Sequence, residues 1–187
     1  MRVHLVPDVL APGLRLVFCG TAPSRASAAA RAYYAKPGNR FWPALHAAGF
    51  TPRRFPPADY AQLLALGIGL TDLCKGRSGN DDELPDSALD ARSLRRKIAR
   101  FRPQAVAFTS KNAAKAFLGR AVAYGWQPES VGTTRLFVLP SPSGQATRFW
   151  NEAPWLALAR WFHGEEKGTG LFSAESGKRP GPFSAQP

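Results

Sequence analysis

Short apolar runs alternate along this chain with segments of helical periodicity. Four runs are apolar, partly β-branched or aromatic, and bounded by glycine, proline or polar residues, which is typical of buried strands: 14–19, 67–73, 105–109 and 135–139. The segments between and after them predict helices over 41–48 (capped by Asn39), 57–66, 91–102, 111–118 and 153–162. Strands alternating with helices predict an α/β fold, with one central, mostly parallel β-sheet flanked by helices on both faces.

Three polar loops follow predicted strands, at 20–24, 72–75 and 140–144. The carboxyl ends of parallel strands meet at the same edge of a sheet, and ligands of open α/β sheets bind at that edge. We therefore expect these three loops, although distant in sequence, to form one cleft.

The length of 187 residues fits a single domain with a sizeable core. We expect this domain to span 1–163. The segment 164–187 lacks periodicity and is rich in Gly, Pro and Ser, so we predict that it is disordered. No apolar run approaches membrane-spanning length and no signal-peptide core begins the chain, which predicts a cytoplasmic, nucleoid-associated monomer without membrane contact.

The formal net charge is +12, and the last segment contributes equal numbers of acidic and basic residues. A compact basic domain favours a polyanionic partner, with nucleic acid ahead of a membrane, over a charge that serves solubility alone. Two cysteines are too few for a disulfide framework or a four-thiolate site. The acidic run 81–83 is one contiguous cluster and fits a solvated loop better than a cation site. We expect neither a metal nor a cofactor.

Several motifs occur in a fixed order along residues 9–162: Ala11-Pro12-Gly13-Leu14-Arg15, Val17-Phe18-Cys19-Gly20, Pro37, Asn39-Arg40-Phe41-Trp42, Gly69-Leu70-Thr71, Leu139-Pro140 and Pro142-Ser143-Gly144. This order resembles the mismatch-specific uracil-DNA glycosylases, the family that includes thymine-DNA glycosylase. The resemblance implies an enzyme of DNA repair that flips uracil, or another deaminated or mismatched base, out of duplex DNA. It would then hydrolyse the N-glycosidic bond and leave an abasic site.

The resemblance also implies roles for individual residues. Tyr34 corresponds to the aromatic residue that stacks on the flipped base. The residues implied to surround the base are Gly20, Thr21, Ala22, Ser24, Tyr34 and Asn39. Those implied to contact DNA are Lys36, Ser141, Ser143, Gly144, Gln145 and Arg148. The residues alone leave alternatives open. Tyr34 could be a core residue and Asn39 a helix cap. Lys36 and Arg148 could be solvated surface charges.

Two positions depart from the family pattern. The family has an asparagine where this chain has Ala22, whose methyl group cannot orient or deprotonate water. Asp72 follows the second strand at the same sheet edge, so we predict that it replaces the asparagine, with Asn39 as the next catalytic candidate. An aspartate that merely caps a turn is the alternative. Gln145 stands where the family inserts an apolar wedge, which puts strict mismatch recognition in doubt.

Three functions remain open at this stage. The first is a monofunctional uracil-DNA glycosylase. The second is a non-catalytic protein that binds uracil-containing or damaged DNA, as the loss of the asparagine at position 22 would suggest. The third and weakest is a hydrolase of free nucleosides, which a steep salt dependence of binding would oppose.

Overall fold

A computed structural model describes residues 4–165 and shows one five-stranded sheet. Its strands are β1 (Leu16–Gly20), β2 (Ile68–Asp72), β3 (Ala105–Phe108), β4 (Gly125–Val131) and β5 (Thr134–Val138). Their order across the sheet is β2-β1-β3-β5-β4. The first four strands in this order pair in parallel, and β4 pairs with β5 antiparallel at the edge. The predicted fold class is confirmed.

Helices cover both faces of the sheet. They are α1 (Arg25–Ala30), α2 (Phe41–Ala47), α3 (Ala91–Phe101), α4 (Lys111–Leu118) and α5 (Ala153–Phe162). On one face α2 and α5 build an aromatic core that includes Phe18, Phe41 and Trp155. On the other face α3 and α4 pack a mainly aliphatic core around Val17 and Ile98. Alternate residues of β1 enter opposite cores, as the pleat of a strand requires.

The segment predicted as a helix over 57–66 is instead a 3-10 helix, Pro57–Leu66. Leu63 is fully buried there, and Tyr60 and Leu66 pack against the same core. These three residues are spaced by three positions, which places them on one side of a helix with three residues per turn. The predicted helix is therefore present with the predicted bounds, and its buried side follows the 3-10 period and not the α-helical one.

The sequence analysis also missed β4. This strand contains Pro128 and has an irregular register between Trp126 and Ser130. Its second half alternates between exposed and half-buried side chains, so it lacks an apolar run. Proline is tolerated at a sheet edge or a bulge, because the missing N–H interrupts no ladder there.

Both ends of the chain extend beyond the described residues. The N-terminal segment lies along β2, where Val9 and Leu70 exchange backbone hydrogen bonds of 2.9 Å. At the other end, Gly164 and Glu165 close a turn after α5 by donating to the carbonyls of Trp161 and Arg160. The rest of the segment predicted to be disordered, residues 166–187, lies outside the described residues.

Candidate functional site

A cleft of about 770 Å³ lies at the carboxyl edge of the parallel strands. The three loops expected to converge do so, since the segments after β1, β2 and β5 all contribute lining residues. A fourth segment, after β3, adds Thr109, Ser110 and Asn112. The sequence analysis placed this strand end correctly but overlooked its place at the cleft; the polar Thr-Ser pair directly after an apolar strand was the available signal.

Most of the predicted site residues lie together in this cleft: Gly20, Thr21, Ala22, Ser24, Tyr34, Lys36, Asn39, Asp72, Ser141, Ser143 and Gln145. Gly144 and Arg148 are not among its lining residues. Gly144 packs against the carbonyl of Gly38, which an added Cβ would approach to 3.3 Å. Arg148 is exposed in a 3-10 segment, Gly144–Phe149, beside the cleft.

Asp72 lies on the floor of the cleft and only 4 % of the residue is exposed. It is the last residue of β2 and pairs in register with Gly20, the last residue of β1. The absence of a side chain at Gly20 is what admits the carboxylate, because a Cβ there would lie 2.5 Å from Asp72 Oδ1. Within residues 4–165, Asp72 Oδ2 has no hydrogen-bond partner, and its nearest cation is Lys75 Nζ at 3.7 Å.

Burial raises the pKa of Asp72 from an ordinary value of 3.8 to about 6. Loss of hydration disfavours the charged form, and the nearby carboxylate of Asp8 acts in the same direction. The ammonium groups of Lys75 and Lys97 oppose this shift in the pKa without cancelling it. The result is a carboxyl group that is ionised at neutral pH yet more basic than a solvated aspartate.

Ala22 lies in the loop directly after β1 and is half-buried at the cleft. Two of its neighbours have polar side chains with structural partners. Thr21 Oγ1 lies 3.5 Å from Ser110 Oγ, and Ser24 caps α1 by accepting a hydrogen bond from the Ser27 backbone N–H at 3.1 Å. In this loop, therefore, Thr21 and Ser24 both have partners within the protein, and Ala22 has no polar side chain.

Tyr34 forms an aromatic wall of the cleft. Its backbone adopts a left-handed conformation, with φ of 53°, and its ring stacks on Phe41 with centroids 3.8 Å apart. The hydroxyl group shares a hydrogen bond of 3.1 Å with Thr109 Oγ1. Burial raises the pKa of Tyr34 well above its ordinary value, so the hydroxyl stays protonated. The ring is thus held rigidly, with one face covered by Phe41.

The N-cap of α2 is Arg40 and not, as the sequence predicted, Asn39, but Asn39 contacts the start of the helix. Its Oδ1 accepts a hydrogen bond of 2.9 Å from the backbone N–H of Phe41, at the start of α2, and the residue also lines the cleft. Because an N–H can only bond to the oxygen of the side-chain amide, this contact fixes which way the amide points. The group that Asn39 can present to a ligand is consequently its NH₂ donor.

The loops 36–40 and 140–147 are joined at the mouth of the cleft. The Arg40 backbone N–H donates to the Pro142 carbonyl at 2.8 Å, and its guanidinium donates to Thr147 Oγ1 at 3.2 Å. Gln145 is exposed there, and beside it the Phe149 side chain, 65 % exposed, also lines the cleft. The sequence analysis did not single out Phe149, since an aromatic residue in a short segment carries no periodic signal.

The charged residues that line the cleft nearly balance. Lys36 and Lys111 lie among them, against Asp72, Asp81 and Asp82. Asp81 accepts a hydrogen bond of 2.8 Å from Asn112, and the neighbouring Glu83 pairs with Arg25 at 3.4 Å. No group of three or more His, Cys, Asp or Glu residues suited to a metal ion occurs among residues 4–165. The positive charge of the chain therefore lies mainly outside the cleft.

Comparisons with known proteins agree with this architecture. The sequence matches the Uracil DNA glycosylase superfamily over residues 7–162. The fold is similar to the solution NMR structure of a proposed uracil DNA glycosylase from Methanosarcina acetivorans, with a TM-score of 0.56 and 23 % identity over 87 % of this chain and 98 % of that one.

Searching residues 4–165 gives no helix of the length and apolar character needed to cross a membrane. Superfamily membership supports a DNA glycosylase role. With the match covering all five strands and every loop of the cleft, the chain belongs to the Uracil DNA glycosylase superfamily.

Proposed function

We propose that this protein is a monofunctional uracil-DNA glycosylase, which removes uracil and other deaminated bases from DNA. The observation that carries the proposal is the Asp72 carboxylate, buried on the cleft floor with one oxygen lacking a hydrogen-bond partner among the described residues. A buried, perturbed carboxyl group in a cleft is a common mark of catalytic function. Ala22, half-buried in the neighbouring loop, offers no polar side chain that would compete for this role.

The proposed reaction is hydrolysis of the N-glycosidic bond. The bond between the base and sugar C1′ breaks, and the base leaves with the electron pair as an anion. Water adds to the sugar cation at C1′ and loses its proton to the Asp72 carboxylate. The negative charge of Asp72 also stabilises the sugar cation before water attacks. A carboxyl pKa of about 6 leaves the group ionised at pH 7 while making it a better base than an ordinary aspartate.

Base recognition is assigned to the walls of the cleft. Tyr34, backed by Phe41, offers its other ring face for stacking on the extruded base. The NH₂ group of Asn39 donates to a base oxygen, which suits the keto groups of uracil and hypoxanthine. The exocyclic amino group of cytosine is a hydrogen-bond donor and would face the Asn39 NH₂ group, which is also a donor. We therefore expect uracil and hypoxanthine to be accepted and cytosine to be rejected.

DNA contacts are assigned to the cleft mouth. In this proposal Lys36 and Arg148 contact phosphates, and the segment 141–145 contacts the duplex with Ser141, Ser143, Gly144 and Gln145. Lys36 lines the cleft and Arg148 is exposed beside it, which supports this assignment. Phosphate contacts position the DNA and carry no information about the base. Specificity would then depend on the cleft walls.

Binding of damaged DNA without turnover is the second candidate. The observation in its favour is Ala22, which removes the asparagine that the resembled family uses to place water. The two candidates make opposite predictions for product formation and the same prediction for binding. Product formation is therefore the measurement that separates them.

The decisive experiment is single-turnover excision from a uracil-containing duplex, with binding to the same duplex measured in parallel. We expect the wild type to release uracil and Asp72→Ala to be about a thousand-fold slower, in line with loss of a general base. Binding should change little. The matched control is Asp59→Ala, which removes a partly exposed carboxylate paired with Arg53 at 3.1 Å. If the wild type binds the duplex without releasing uracil, the second candidate is favoured. If wild type and Asp72→Ala release uracil at equal rates, Asp72 is excluded as the general base.

A further inference from the structure

Asp8 brings a second carboxylate close to Asp72 from the N-terminal segment. Its Oδ1 lies 3.0 Å from Lys75 Nζ and its Oδ2 lies 2.6 Å from Lys97 Nζ. Thr71 Oγ1 donates to Asp8 Oδ1 at 2.8 Å. Burial alone would raise the pKa of Asp8, but the two lysines hold it below its ordinary value. Asp8 is therefore an ionised carboxylate that binds two ammonium groups.

Lys75 is the cation that Asp8 and Asp72 share. Besides its contact with Asp8, its Nζ donates to the Tyr33 hydroxyl at 2.8 Å and lies over the Tyr33 ring. Its distance from Asp72 Oδ2 is 3.7 Å, which is close enough for an ion pair but too long for a hydrogen bond. The side chain is only 10 % exposed, so water competes little for its three N–H groups.

Lys97, on α3, is occupied in a similar way. In addition to its pair with Asp8, its Nζ donates to Thr71 Oγ1 at 3.2 Å. Thr71 and Asp72 are consecutive in β2, and their side chains leave the strand on opposite sides. Asp8 consequently binds Lys97 on the side of the strand away from the Asp72 carboxylate.

We propose that Asp8 is a positioning residue for the reaction, because it binds Lys75 and so withholds its ammonium group from the Asp72 carboxylate, while Lys97 anchors Asp8 from the other side of the strand. This inference rests on the catalytic role proposed for Asp72. Without Asp8, Lys75 would be free to move from 3.7 Å to hydrogen-bond distance of Asp72 Oδ2. A carboxylate that is hydrogen-bonded to an ammonium group is a weaker base and is less able to accept a proton from water.

The groups facing Asp72 come from every element around it. Lys75 follows β2, Lys97 lies on α3, Asp8 precedes β1, and Cys19 lies on β1; Tyr33 and Tyr34 follow α1. Burial raises the pKa values of the thiol and of both phenols, so these three groups stay neutral around pH 6. Of these groups in the described part of the chain, Asp8 and the two lysines carry the charge that acts on Asp72 in that range.

The test is the titration of Asp72 in three full-length variants: Asp8→Asn, Lys75→Met and the double variant. Carbon-13 NMR of the aspartate carboxyl groups gives the midpoint directly, with Asp72→Asn identifying the signal. The pH dependence of single-turnover excision gives the same midpoint from catalysis. Asp59→Asn, which alters a partly exposed ion pair, is the matched control.

We expect Asp8→Asn to lower the Asp72 midpoint by about one pH unit, as an opposite charge at close range does, and to slow excision at its plateau. Lys75→Met should raise the midpoint. Asp8→Asn should shift the Asp72 midpoint less in the Lys75→Met background than in the wild-type background. In the double variant, no Lys75 ammonium group is present to move towards Asp72. Asp59→Asn should leave it unchanged.

An unmoved or raised midpoint in folded Asp8→Asn would overturn the inference. Should Asp8→Asn not fold, Lys75→Met decides, since an unmoved or lowered midpoint there shows that Lys75 does not act on Asp72. The NMR titration separates this inference from the proposed function. If the midpoints shift as expected in a protein that does not excise uracil, the role of Asp8 stands and the enzymatic proposal fails.

Discussion

The floor and the mouth of the cleft are built in different ways. At the floor, Tyr34 bonds to Thr109, which lies 75 positions away, and Asp72 pairs in register with Gly20 of the neighbouring strand. At the mouth, the segment 141–149 bonds to itself through Ser143, Gln145 and Thr147 and to the rest of the chain through Arg40, and most of its residues are exposed. The difference suggests that the floor supports chemistry needing fixed geometry, whereas the mouth adapts to DNA.

After removal of the Asp72 carboxylate itself, the largest effect should follow from adding one methyl group at the floor. In Gly20→Ala, the new Cβ would lie 2.5 Å from Asp72 Oδ1 and 3.3 Å from the Tyr34 hydroxyl, so the carboxylate must move. We expect single-turnover excision to fall by about a hundred-fold, because a displacement of about 1 Å in a reacting group costs that much. DNA binding, which we assign to the mouth, should change little.

Gly76→Ala is the control for this substitution. It lies in the loop after β2, and no atom comes within 4 Å of its added Cβ. Its excision rate should equal that of the wild type. A Gly20→Ala protein that excises uracil at the wild-type rate would show that Asp72 is not held for catalysis.

The buried, ionised Asp72 carboxylate at the floor should also destabilise the folded protein at neutral pH. The pKa of Asp72 is about 6 in the folded protein against an ordinary 3.8, so its contribution to stability is fully present below pH 4 and is lost as the pH rises through 6. Asp72→Asn does not ionise, so it should not lose stability as the pH rises. We expect the variant to be more stable than the wild type by about 2–3 kcal/mol at pH 7, with the advantage decreasing towards pH 4.

Urea unfolding of both proteins at several pH values measures this difference. Asp59→Asn, at the partly exposed ion pair with Arg53, should show little gain in stability at any pH. If the difference in unfolding free energy between Asp72→Asn and the wild type is the same at pH 4 and pH 7, then burial does not perturb the pKa of Asp72.

Sequence reasoning reached the floor through the topology. Alternating strands and helices predicted the parallel sheet, and the sheet placed Gly20 and Asp72 at one edge. It could not predict Asp8 as a neighbour of Lys75 and Asp72, because that contact depends on where the N-terminal segment lies along β2. Such a contact spans more than sixty positions and leaves no local pattern.

At the mouth and the sheet edge the same reasoning was weaker. Irregular loops show no period, so Phe149 gave no signal even though it is the most exposed large apolar residue among those described. The edge strand β4 was missed for a related reason, since Pro128 and polar residues hide its alternation. Prediction thus worked where burial imposes a pattern and failed where solvent removes it.

The smallest of the expected effects concerns Phe149 and tests the mouth. Gln145 occupies the position where the resembled family has an apolar wedge, whereas Phe149 offers a 65 % exposed ring beside it. When a nucleotide leaves the duplex, an aromatic ring can stack in the vacated space and keep the base extruded. Such stacking is worth about 1–3 kcal/mol per base, so we expect Phe149→Ala to slow excision from duplex DNA by about ten-fold.

Single-stranded substrate provides the comparison that isolates this role. A single strand has no stack to refill, so Phe149→Ala should excise uracil from it as fast as the wild type. Leu64→Ala, which removes a large apolar side chain that is 38 % exposed and does not line the cleft, should affect neither substrate. Equal slowing on both substrates would show that Phe149 acts on the reaction at the floor and not on opening of the duplex. A residue that only holds the duplex open cannot affect a base that is already unstacked.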